Sequence, residues 1–167
     1  MAKMTSTALQ DQLARQVSRE QSTANFYEAA ALQASMLALP GCEKWFRAAA
    51  DEERVHSRKI SFYLAELFGI VAPVGLDPMG ASTLAGKSLY DIFVAADAKE
   101  REFLQIFSDI SMDAIESREA GIHQFVQWFV EEQQNAVRSL KTIIDMTRNC
   151  SDVADFLLVD QYVGGLV

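Results

Sequence analysis

The hydrophobic positions recur at helical spacing along most of the chain. From Thr7 to about Leu39, the residues Leu9, Leu13, Val17, Ala24, Tyr27, Ala31 and Ala34 fall three, four or seven apart, which predicts one amphipathic helix. Pro40-Gly41 reads as its stop. A second helix is expected over about 42–68, with Phe46, Ala49, Glu53, His56, Ile60, Tyr63 and Leu67 on one face and Gly69 as its C-cap. A connection that short makes the two antiparallel neighbours. Residues 70–86 hold Pro73, Gly75, Pro78, Gly80 and Gly86. This segment is too long for a bundle turn and is expected to cross the length of a bundle.

Ser88 suits the N-cap of a third helix over about 88–115, with Phe93, Ala96, Glu100, Phe103, Leu104 and Phe107 inward. A fourth helix is expected over about 119–148, with Phe125, Phe129, Gln133, Ala136, Leu140 and Ile144 inward. After a break at Asn149 to Asp152, with Ser151 or Asp152 as cap, a short apolar helix is expected over about 153–163. The fold class is all-α: two helical hairpins joined by a long crossover, with a short C-terminal helix, in one domain over 1–167.

Composition agrees. Half of the residues are hydrophobic and 23% are charged, and only three prolines and eight glycines interrupt 167 residues. The net charge of −8 argues against nucleic acid and anionic membranes as partners and is compatible with attracting cations. Cys42 and Cys150 have no metal-type spacing and read as reduced thiols. The N-terminal segment carries no signal-peptide pattern and no apolar run reaches membrane length. The expected location is cytoplasmic, or an organelle such as a plastid after removal of a transit peptide.

The candidate chemistry lies in polar residues that interrupt apolar stripes. Glu53 and His56 are three apart and share a face; alone, E-x-x-H is a weak signal. Three other helices add Glu20 (seven before Tyr27), Glu100 (between Phe93 and Phe107) and Gln133 (between Phe129 and Leu140), all near mid-helix. Buried unpaired carboxylates are costly, so a cluster at one level calls for a cation. Three carboxylates and one imidazole without thiolate suit iron or manganese better than structural zinc. Zinc and magnesium stay open on the residues alone, as does a metal-free helical scaffold.

In these features the chain resembles the ferritin family from about Thr7 to Gly164. The resemblance rests on Arg19-Glu20 through Phe26-Tyr27, on Phe46-Arg47 with Asp51-Glu52-Glu53-Arg54-Val55-His56, on Glu131-Glu132-Gln133, and on Val153-Ala154-Asp155-Phe156-Leu157 with Asp160. It implies a ferritin-like four-helix bundle and a non-haem, heavy-chain-like ferroxidase subunit for iron storage. Fe(II) and dioxygen would be the substrates, with two iron ions per subunit and a homo-oligomeric 24-mer cage. Glu20 and His56 would bind one iron, Glu53 would bridge, Glu100 would hold the second, and Gln133 would orient water beside it. Tyr27 would hydrogen-bond near the site and donate an electron, or serve only as a core aromatic.

Some positions depart from family patterns. Asn135 and Ala136 replace glutamates of a third iron site, leaving Glu52 and Glu132 for a weaker one. Arg54 stands where bacterioferritins carry a haem-binding Met, and the fourth helix lacks a second E-x-x-H, so no haem is expected. His123 and Val126 fall where animal ferritins line a three-fold channel with acids. Near Val55 and Arg58 the acids linked to mineral nucleation are missing. A di-iron oxygenase or peroxidase without a cage is the competing enzyme reading; a mini-ferritin fits less well, given the fifth helix.

Overall fold

The computed structural model of the chain describes residues 6–72, 75, 84 and 86–167. Five helices follow one another: α1 (Ser6–Met36), α2 (Pro40–Phe68), α3 (Leu89–Ser117), α4 (Ala120–Arg148) and α5 (Val153–Gly164). No strand occurs among the described residues. α1 pairs with α2 and α3 with α4, α1 also packs on α3, and α5 lies mainly against α2.

The helix limits follow from local chemistry. α1 stops at Met36, and Ala38 takes a left-handed conformation with φ 59°. Pro40 does not end α1; it opens α2, where a missing N–H costs nothing and its fixed φ suits the helix. The expected stop is therefore a start. Gly69 closes α2 at φ 65°, and its N–H reaches the carbonyl of Ala65. Ser88 opens α3 as expected: its hydroxyl accepts from the Asp91 N–H at 3.1 Å while the Asp91 carboxylate accepts from the Ser88 N–H at 3.3 Å. Asp152 caps α5 by accepting from the Asp155 N–H at 3.0 Å.

The inward faces follow the periodicity, although Tyr63, Leu104, Phe125 and Ala136, expected inward, are only half-buried. Leu67 is exposed, and the buried stripe at the end of α2 is carried by Leu64. Two apolar clusters fill the bundle. One, around Phe46, Phe93, Ala34 and Leu140, lies toward the α1–α2 turn; the other, around Leu13, Leu64, Phe107 and Phe129, lies toward the opposite end. Ile70 and Ala72 pack against the second cluster and Leu84 belongs to the first. The two ends of the segment between α2 and α3 thus sit at opposite ends of the bundle, as a crossover requires. Pro73, Pro78 and Gly80 lie outside the described residues.

α5 docks by backbone contact. Asp160 is buried, and its two carboxylate oxygens accept from the N–H groups of Gly41 at 3.0 Å and Cys42 at 2.7 Å, at the N-terminus of α2. A Cβ on Gly41 would lie 2.0 Å from the Asp160 carbonyl oxygen, and one on Gly164 would lie 2.7 Å from the Gly41 Cα. Only glycine at both positions allows this approach.

Candidate metal centre

Between the two apolar clusters lies a polar layer made by all four long helices. α1 supplies Glu20 and Tyr27, α2 Glu53 and His56, α3 Glu100, and α4 Gln133. All six are buried, none more than 7% exposed. Each sits where its helix turns the apolar stripe inward, so burial is imposed by neighbours such as Val17, Ile60, Phe103 and Phe129.

The six side chains expected to form the site do converge. Atoms of Glu20, Glu53 and His56 lie within 4.8 Å of one another. His56 Nδ1 is 3.4 Å from Glu53 Oε2 and 3.7 Å from Glu20 Oε2. Tyr27 donates its hydroxyl proton to Glu100 Oε1 in a short hydrogen bond. Tyr27, Glu53, His56, Glu100 and Gln133 line one cavity of about 290 Å³ between α2 and α4. Glu52 and Glu132, Asn135 and Ser139 complete its polar wall, and Trp45, Leu166 and Val167 its apolar side. Lys44 Nζ donates to the carbonyl oxygens of Gly164, at 3.2 Å, and Val167, tying the tail to α2.

Five buried atoms in this layer make no hydrogen bond: Glu20 Oε2, Glu53 Oε2, His56 Nδ1, Glu100 Oε2 and Gln133 Oε1. Buried polar atoms in folded proteins are nearly always hydrogen-bonded, and five on converging side chains without a hydrogen bond are outside that norm. Four of them are oxygens and one is an imidazole nitrogen, a donor set that fits a hard or borderline divalent cation.

The electrostatics point the same way. Burial raises the Glu53 carboxyl well above the usual range, and the neighbouring Glu20 carboxylate and the charges of Glu100 and Glu52 raise it further. Burial pushes Glu100 from its ordinary 4.5 up to about 7, against the opposing hydrogen bond from Tyr27. Tyr27 is raised well above 10 by burial and by the Glu100 charge. Carboxylates packed this way hold protons unless a cation replaces them.

Three neighbours escaped the sequence reading. Gln16, fully buried, donates from Nε2 to Glu20 Oε1 at 2.8 Å; it lies four residues before Glu20, a spacing that was available as a signal. Trp128 meets the His56 ring edge to face at 5.4 Å, and Trp45 meets Tyr27 at 6.1 Å. Elsewhere, His123 pairs with Ser111 at 3.0 Å. No helix of the described residues is long and apolar enough to cross a membrane.

Comparison with known proteins agrees with this architecture. The sequence profile of the ferritin family, described as a ferritin-like domain, matches residues 10–150. The bacterial non-haem ferritin of Staphylococcus epidermidis is 27% identical over 149 residues, covering 89% of this chain and 88% of that protein. Ferritin BfrB of Mycolicibacterium smegmatis is 29% identical over 134 residues, covering 76% of this chain and 71% of that one. In structure, the open pore ferritin of the archaeon Archaeoglobus fulgidus superposes with a TM-score of 0.88 at 22% identity, over 96% of this chain and 98% of that one. With helix order, buried carboxylate layer and family profile in agreement over most of its length, this chain belongs to the ferritin family.

Proposed function

We propose that this protein is an iron-storage ferritin subunit that oxidises Fe(II) with dioxygen at the polar layer between its two apolar clusters. The observation that carries the reading is the set of five buried atoms that make no hydrogen bond, on Glu20, Glu53, His56, Glu100 and Gln133. Fe(II) is the substrate, and it supplies one electron per ion to dioxygen.

The protein's share is positioning and charge. Glu20 and His56 hold the first ion. Glu53, with His56 on one side and the acidic cluster on the other, bridges to the second. Glu100 holds the second ion through Oε2 while Tyr27 occupies its Oε1. Gln133 aims an amide oxygen into the same space, where it orients water. So few ligands leave coordination positions open for dioxygen. Glu52 and Glu132, on the wall of the same cavity, form a weaker third site. No haem is part of this reading.

Assembly into a homo-oligomeric cage of twenty-four belongs to the same proposal, as do a single domain over the whole chain and a cytoplasmic location. The apolar outer face of α5 supports assembly: Leu157 is 52% and Leu158 64% exposed, an unfavourable surface for an isolated subunit.

Glu53→Ala tests the chemistry. Losing the bridge is expected to remove the fast oxidation phase. An unchanged fast phase excludes Glu53 from the site.

A further inference from the structure

Glu20 and Glu100 stand at opposite ends of the carboxylate cluster and share one feature. In each, Oε1 accepts a hydrogen bond from a fully buried side chain, and Oε2 has none. Tyr27 is the donor to Glu100; Gln16 is the donor to Glu20, at 2.8 Å.

The orientation of the Gln16 amide is fixed from both sides. With a cation in the site Glu20 is ionised and only accepts, so the NH₂ group must face it. On the other side Arg19 Nη1 approaches Gln16 Oε1 at 3.4 Å, and a guanidinium only donates. The sequence Arg19 to Gln16 to Glu20 therefore runs one way, from an exposed cation into the site. All three residues lie on α1, three and four positions apart, so the helix itself sets the geometry.

We infer that Gln16 is a positioning residue for iron: it holds Glu20 Oε1 so that Glu20 offers only Oε2 to the first ion. Oε2 then faces His56 Nδ1 at 3.7 Å, a separation that one ion can span. A carboxylate released from Gln16 can chelate with both oxygens or rotate away from His56. The first choice closes a coordination position that dioxygen needs, and the second weakens binding. The inference rests on the proposed iron site and adds a determinant of its ligand geometry.

Co(II), titrated in the absence of dioxygen, is the probe. Its visible absorption reports coordination number and its titration reports affinity. The metal-free protein is compared with Gln16→Met, which keeps the volume and removes the N–H, with Glu20→Ala, and with the double variant. Gln16→Met is expected to weaken the first Co(II) about ten- to hundred-fold and to change the spectrum, in line with the loss of an outer-shell partner. In the Glu20→Ala background the same change should cost less than about two-fold, because its route to the ion is gone. Wild-type affinity and spectrum in Gln16→Met would overturn the inference, as would an equal loss in both backgrounds. Should Gln16→Met fail to fold, Gln16→Asn, whose amide is one methylene too short to reach, is expected to give the same result, and wild-type binding would again overturn it. If the wild-type protein binds no Co(II) at this layer, the iron site itself falls. If it binds and the Gln16 variants match it, only the role of Gln16 falls.

Discussion

At the scale of single residues, the site is a balance between burial and charge. Glu53 and Glu100 are held in a buried layer where their protonated forms are favoured. A carboxyl whose pKa is raised on folding binds more protons folded than unfolded. Its contribution to stability is full below its ordinary pKa of 4.5 and is lost as pH rises through about 7. The metal-free protein is therefore expected to lose stability between pH 5 and pH 8 through these groups. Glu100→Gln, which cannot ionise, should flatten that slope in thermal melts; an unchanged slope would show that Glu100 does not titrate there. Glu20, Glu53, His56, Glu100 and Gln133 were legible in the sequence because each interrupts an apolar stripe, and Tyr27 because it lies seven residues after Glu20 on the same face. Gln16, Trp45 and Trp128 were harder to read, for a physical reason. A half-buried tryptophan is an ordinary packing residue until its partner is known, and Gln16 stands out only through its spacing of four from Glu20, whereas a buried carboxylate is abnormal by itself.

At the scale of elements, helix periodicity located all five helices, but Pro40 and the tail needed tertiary information. Pro-Gly is equally good as the stop of one helix and the first turn of the next; the left-handed Ala38 two residues earlier decides for the second. The path of Leu166 and Val167 to the cavity wall depends on how α5 docks, which depends on a glycine contact that periodicity does not encode. Gly41→Ala puts a methyl group into the Asp160 backbone and is expected to destabilise by about 1–3 kcal/mol, the usual cost of overpacking. Limited proteolysis should then open the break at 149–152 ahead of the bundle. If cutting there stays at the wild-type rate, α5 is not held through Gly41.

At the scale of the whole molecule, two apolar clusters flank a polar layer, and the segment between α2 and α3 starts at one and ends at the other. The bundle can therefore bury unpaired carboxylates at mid-height because both ends are packed against it. The apolar outside of α5 extends the reasoning beyond one chain. Leu157→Asp places a charge on that exposed face without touching the bundle core, so helical content by circular dichroism should be kept while the assembled particle breaks into small oligomers. A particle of wild-type size would remove α5 from the assembly contacts.

Aerobic Fe(II) titration of the metal-free protein tests for a two-iron oxidation centre in a storage assembly. Absorbance is followed in stopped flow, and the same sample is sized by chromatography. A fast phase that saturates at two irons per subunit is expected, in a particle far larger than one 18.6 kDa chain. No fast phase, or a particle the size of a monomer or dimer, would contradict it.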